Sequence, residues 1–185
     1  MMDNRSIRLR KAKENDVDLL FKWANDSEVR RNAFHTDPIS HEEHIRWFKK
    51  TMDNPDIGQY VLIDDDKPIG QVRLSIDGTD AEIDYSVDAA YRGSGYGRMI
   101  IHLIKQRTIE DFPEIKRLIG RVKPANVASF YCFTQNGFVE KYRRLEYDLT
   151  NDSERYIKKN DHIMGNAERE RNAETNKGRP SENLP

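Results

Sequence analysis

Asp80-Ala81-Glu82-Ile83-Asp84-Tyr85-Ser86-Val87-Asp88-Ala89-Ala90-Tyr91-Arg92-Gly93-Ser94-Gly95-Tyr96-Gly97 is the stretch from which the rest of the chain can be read. Ala81, Ile83, Tyr85 and Val87 alternate with Glu82, Asp84, Ser86 and Asp88, the period-two pattern of a strand. A short bridge leads to Arg92-Gly93-Ser94-Gly95-Tyr96-Gly97, and Met99, Ile100, Leu103 and Ile104 then recur at helical spacing until Pro113. Glycines at the mouth of a helix let the backbone approach a ligand closely. The unpaired N–H groups and the helix dipole there favour an anion. A phosphate or pyrophosphate is the natural guest.

Spacing narrows the choice of phosphate ligand. No Lys-Ser or Lys-Thr follows the last glycine, which excludes the Walker-type nucleotide loop. Counting from Gly93 or Gly95, the third glycine of the dinucleotide fingerprint is missing, with Arg98 and Met99 in its place. What remains is Arg-x-x-Gly-x-Gly after an acidic strand. Here the sequence resembles the GNAT family of N-acetyltransferases, whose corresponding turn binds the pyrophosphate of acetyl-coenzyme A.

Working outward from this stretch, Ile7 and Leu9 mark a first strand, and Asn15 with Asp18 predicts a helix start. Val17, Leu19, Leu20, Phe21 and Trp23 give that helix its apolar face, and the chain loosens near Asn25-Asp26-Ser27. Ser40 and Glu43 form a capping box for a second helix, with His44, Ile45, Trp47 and Phe48 as its buried stripe. Strands follow at Tyr60–Ile63 and Ile69–Ile76 around the turn Asp64-Asp65-Asp66-Lys67-Pro68. Beyond the central unit come a strand near Leu118–Val122, a helix from about Asn126 to Asn136 ended by Gly137, and a last strand over Phe138–Leu149.

The resulting order is strand, two helices, three strands, helix, strand, helix, strand. That is the topology of the acetyltransferase family, and the resemblance covers roughly residues 6 to 149. It implies an α/β fold with a mixed central sheet of six to seven strands flanked by about four helices. Residues 1–149 are expected to form the acetyltransferase domain. From Thr150 onward Asn, Glu, Lys and Arg dominate, and such a segment cannot bury enough surface to offset its ordering entropy. Residues 150–185 are therefore expected to be a disordered tail, with a transient helix around Glu154–Lys159.

The 31 Lys and Arg nearly balance the 32 Asp and Glu, so charge makes no case for nucleic acid or an anionic membrane as partner. Cys132 stands alone, which excludes an internal disulfide and a cysteine-rich zinc site. His41-Glu42-Glu43-His44 has the wrong spacing for a zinc peptidase, and no metal is expected. With no apolar leader or membrane-length stretch, a cytoplasmic protein is expected. A homodimer is left open.

Acetyl transfer from a thioester to an amine needs a proton acceptor for the amine, stabilisation of the carbonyl oxygen and departure of the thiolate. Glu82 and Asp84 share one face of the central strand, and Glu82 is the first choice of base, with Asp84 second. The resemblance implies that the backbone of Tyr85, Ser86 and Val87 binds the pantetheine arm. It further implies that Arg92, Gly93, Ser94, Gly95, Tyr96 and Gly97 surround the pyrophosphate. Pro124-Ala125-Asn126-Val127-Ala128-Ser129, with Phe133 beyond, looks like the family's second cofactor segment, in which Asn126 would bond the cofactor arm. Many relatives place a sulfur-protonating tyrosine seven residues after that asparagine. Here the position is Phe133, and Tyr131 points to nearly the opposite face of the helix.

The amino-terminal helices form the acceptor side in this family. Trp23 through Arg30, Ile39 through His44, and Trp47-Phe48 resemble acetyltransferases of nucleotide-linked 4-amino-sugars of the pseudaminic acid type. An acceptor carried on UDP would need an aromatic wall and cationic phosphate partners, for which Arg30, Phe34, His44 and Trp47 are the candidates, with Arg31 beside them. The alternatives are acetylation of protein amino termini or other small amines, and a non-catalytic acyl-coenzyme A-binding module.

Overall fold

The fold is built around the strand Asp80–Val87, here β4, whose two neighbours treat it differently. A computed structural model describes residues 6–142, 144 and 145. The chain divides into two compact units, residues 1–139 and 140–185. Of the second, the described residues 140–142, 144 and 145 belong to no helix or strand. Five strands lie in the first unit: β1 (Ile7–Lys11), β2 (Ile57–Asp64), β3 (Lys67–Asp77), β4 and β5 (Arg117–Gly120). They form one mixed sheet in chain order, with antiparallel pairs up to β4 and a parallel β4–β5 pair.

β3 accompanies β4 along its whole length, from Asp77 opposite Asp80 to Gly70 opposite Val87. β5 accompanies only its first half, and the last pair is Ile83 with Gly120. Beyond that point the two parallel strands part. Alternate residues of a strand aim their main-chain groups at opposite edges. Asp88 N–H donates to Ile69 C=O on the β3 side at 2.8 Å. Tyr85 and Val87, of opposite parity, therefore turn their main-chain groups to the edge that β5 has left.

The pleat sorts the core into two layers. Leu9, Leu62, Val72, Leu74, Ala81 and Ile83 face α4 (Tyr96–Asp111) and α5 (Val127–Thr134), against Ile100, Ile101, Ile104 and Phe133. Val61 and Ile63 face the other way, onto α1 (Val17–Ala24) and α3 (His41–Asp53), against Leu20, Trp23 and Phe48. Both layers are buried, and burial of their large aliphatic and aromatic side chains contributes about 1.5–3 kcal/mol each.

Three amino-terminal helices stand where two are expected. Asp26, read as a break, caps the additional helix α2 (Ser27–Asn32) by accepting from Glu28 N–H and Val29 N–H. The start of α1 also differs. A 3₁₀ turn at Glu14–Asp16 precedes it, and Asp16, not Asn15, organises the entry by accepting from Lys13 N–H at 2.7 Å and from both ends of Arg10. At α3 the capping box forms as expected, Ser40 and Glu43 each serving the other's backbone N–H. The expected last strand has no counterpart among residues 138–142, 144 and 145, and the rest of it, like the expected tail at 150–185, lies outside the described residues.

Candidate active site

The glycine mouth sits at the amino end of α4. Gly93 and Gly95 have φ of +78° and +85°, a region that side chains strain to adopt, and a Cβ built on either would meet nothing within 4 Å. The space in front of these residues is open, and Gly95 is the N-cap of a 16-residue helix. Ser94, Gly95, Tyr96, Arg98, Met99 and His102 line a cleft of about 530 Å³ together with Asn136 at the far side. An anion entering here meets the positive, amino end of the helix. Arg98 and His102 lie one turn apart on α4. In the sequence only their four-residue spacing behind the glycines marks them.

The three remaining members of the motif do other work. Arg92 was expected at the pyrophosphate, but its guanidinium turns back to Asp26 and Glu28, the latter at 3.0 Å, and to Val87 C=O at 3.2 Å. Two carboxylates at the start of α2 satisfy its charge more fully than a solvated anion could. Tyr96 bonds Asp64 through its hydroxyl and packs edge-on to Tyr91. A Cβ at Gly97 would stand 3.1 Å from Cys132 Sγ and 3.3 Å from the Tyr85 ring, so this glycine serves the close approach of α4 to α5.

α5 reaches the open edge of β4. Asn126 caps the helix by accepting from Ser129 N–H at 3.1 Å. The Tyr85 hydroxyl donates to Ser129 Oγ at 3.2 Å, and burial is the main reason its phenol is pushed up and stays protonated. Phe133 is buried, edge-on to Tyr85 and Phe138, and lies so close over Gly120 that a Cβ there would be 2.6 Å from the ring. Phe133 thus closes the end of β5 and has no proton to give. Tyr131 is 59% exposed, on the outer side of α5.

Glu82, Asp84 and Ser86 lie on the opposite face of β4, toward the amino-terminal helices. Glu82 pairs with Arg121, whose Nε donates to Oε1 at 2.8 Å, just where β4 and β5 separate. Asp84 is exposed and pairs with Arg73 at 3.0 Å, and Arg73 in turn lies under the Trp47 ring. Ser86 is buried, with an Oγ that has no hydrogen-bond partner among the described residues. Asp88 closes the strand by accepting from the Trp23 indole at 2.7 Å, Lys22 at 2.9 Å and Ala90 N–H. Lys22 and these donors hold the Asp88 carboxyl down at about 2.

The expected acceptor residues separate. His44 is buried, with Nε2 on Val17 C=O at 2.9 Å and aromatic neighbours Phe21, Trp47 and Phe48. Burial lowers its pKa, and a neutral core imidazole is not available to a substrate phosphate. Arg30 donates to the carbonyls of His35 and Asp37, both at 3.3 Å, and so shapes the loop behind α2. Phe34, on that loop, is 55% exposed and remains on the acceptor side, as does Trp47 above Arg73.

The family description of the acetyltransferase (GNAT) domain matches residues 6–139. The chain belongs to the GNAT acetyltransferases. No curated protein matches it by sequence. Among solved structures, a spermidine N-acetyltransferase from Vibrio cholerae, in complex with coenzyme A and spermine, superposes with a TM-score of 0.70 at 20% identity, over 76% of this chain and 85% of that one. The aminoglycoside acetyltransferase AAC(6')-Ib with coenzyme A gives 0.63 at 19% identity, over 74% and 86%. RimL, a ribosomal alpha-N-protein acetyltransferase with coenzyme A, gives 0.67 at 18% identity, over 77% and 86%. At this identity the likeness is one of fold. The GNAT chain is an acyl-coenzyme A-dependent N-acetyltransferase. Its open glycine mouth and half-paired β4 have the space and the free main-chain groups to receive an acyl-coenzyme A. No helix among the described residues is long and apolar enough to cross a membrane.

Proposed function

We propose that this GNAT enzyme transfers acetyl to the primary amine of a nucleotide-linked amino-sugar, by direct attack of the amine on the thioester. The observation that carries this reading is the position of Glu82. It stands where β4 and β5 part, with the open strand edge beside it and an aromatic, cationic surface around Phe34 on its other side. Acetyl-coenzyme A supplies the activated acyl group. The main chain of the glycine mouth holds its pyrophosphate, and the main chain of Tyr85 with the Val87 N–H aligns its arm as an added strand would be aligned.

Glu82 receives the proton of the acceptor ammonium, directly or through water, once the amine enters beside Arg121. The amide N–H at the open edge stabilises the carbonyl oxygen as charge develops on it. With Phe133 in place of a tyrosine, no side chain protonates the departing sulfur. A thiol of pKa about 8.5 leaves with water as proton source. A cytoplasmic setting belongs to the same reading.

The test is acetyl-coenzyme A turnover, read as thiol release, across UDP-4-amino-sugars, amino-terminal peptides and polyamines. The UDP-linked amines are expected to give the highest kcat/KM. Preference for a peptide amine would move the enzyme to protein acetylation, and binding of acetyl-coenzyme A with no turnover of any amine would make it a binding module.

A further inference from the structure

Two cations that no sequence motif singles out stand on the exposed acceptor-side aromatic ring. Arg121 follows Gly120, the last residue of β5 paired with β4. Its guanidinium lies 4.9 Å from the centre of the Phe34 ring while holding Glu82 through Nε. Lys123 Nζ approaches the same ring at 6.0 Å and donates to Arg31 C=O at 3.2 Å. These contacts tie the loop after α2 to the segment after β5, directly beside the base candidate.

The charges here do not balance. Glu82 and Asp84 are each engaged by an arginine, Arg121 and Arg73. Lys123 has no carboxylate partner among the described residues, and neither does the Nη1 end of Arg121. Three cations thus face two carboxylates. A guanidinium is planar and keeps its remaining N–H groups in one plane, a geometry that suits phosphate oxygens, and the ammonium adds a second charge. A polycationic acceptor would meet net repulsion on this surface.

We propose that Arg121 and Lys123, seated on Phe34, are the specificity-determining residues of the acceptor site. They hold a phosphate of the acceptor, in the chemistry of a nucleoside diphosphate, and so bring its amine to Glu82. The proposal rests on the acetyltransferase reading above. It adds which residues recognise the nucleotide and that polyamines are rejected.

The full-length protein, saturated with coenzyme A so that its pyrophosphate site is filled, is titrated with uridine diphosphate by calorimetry. Wild type should bind, and Lys123→Glu and Arg121→Ala should each weaken binding on the order of 10- to 100-fold, the range of a lost charge-assisted hydrogen bond. In turnover, Lys123→Glu should lower kcat/KM for a UDP-linked amino-sugar by a similar factor, mainly through KM. Absence of uridine diphosphate binding to wild type, or equal binding to all three proteins, overturns the proposal while leaving acetyl transfer intact. Spermidine turned over better than the UDP-linked amine overturns it as well. Failure of coenzyme A itself to bind removes the acetyltransferase reading and the proposal together, and the two failures are told apart in the same titrations.

Discussion

Glu82 is the residue on which the chemistry turns, and its neighbourhood defines how it can be tested. Glu82→Gln keeps the shape and a hydrogen bond to Arg121 but cannot take a proton. Turnover should fall by about 10²–10⁴-fold with acetyl-coenzyme A affinity retained, and by less at high pH, where the amine deprotonates unaided. Full activity of Glu82→Gln at neutral pH would hand the role to Asp84 or to water alone. Tyr131, exposed on the outer side of α5, should tolerate Tyr131→Phe within a few-fold of wild-type turnover at saturating substrates. A hundredfold loss there would identify it as the missing acid. Asp88 makes a different prediction. Its carboxyl is held at about 2 by Lys22, Trp23 and Ala90 N–H, below its ordinary value of 3.8. A depressed folded-state value adds stability that is complete above the unfolded pKa and disappears as pH falls through the folded one. That stability, about 2 kcal/mol, should therefore fade between about pH 4 and pH 2. In urea unfolding, Asp88→Asn should be less stable than wild type at pH 7, and the gap should narrow across that window. A gap that stays constant down to pH 2 would show that the carboxylate charge is not what anchors α1 to the end of β4.

At the level of elements, the parting of β4 and β5 depends on what fills the end of β5. The Phe133 ring occupies the space over Gly120, and Tyr85 and Phe138 hold it there. Gly120→Ala should push that ring aside at a cost of about 1–3 kcal/mol, seen as a lower urea midpoint with unchanged slope. A midpoint equal to wild type would mean that α5 has room to move. The same elements show what a sequence can reveal. β2, β3, β4, α3 and α4 were legible because their signals are local: alternation, a capping box, a helical stripe behind glycines. The extra helix α2 was not, because an Asp that begins a helix and one that ends it look alike until Glu28 N–H and Val29 N–H are seen on its side chain. Arg92 was misplaced for a related reason, since Asp26 and Glu28 lie more than sixty residues away and only the fold brings them together. His44 carried no mark to separate a core imidazole from a ligand-binding one. Arg121 and Lys123 carry no local signal, because their meaning comes from Phe34, on a loop far from them in sequence.

Across the whole molecule, the sheet divides two tasks between its faces. α4 and α5 on one side bring the glycine mouth and the cofactor segment to the open edge of β4. The amino-terminal helices on the other side present Phe34 and Trp47 near Glu82 and Asp84. β4 carries groups toward both sides, and its second half has no strand partner on the β5 side. In the proposed reaction acetyl-coenzyme A completes this edge, with its pyrophosphate at the mouth of α4. Amide hydrogen exchange of the free and acetyl-coenzyme A-saturated protein reads this placement segment by segment. Slowed exchange is expected to concentrate in peptides covering Tyr85–Val87 and Gly93–Arg98, with the β1–β2 pair unchanged. Binding that leaves those two segments exchanging as in the free protein would contradict it.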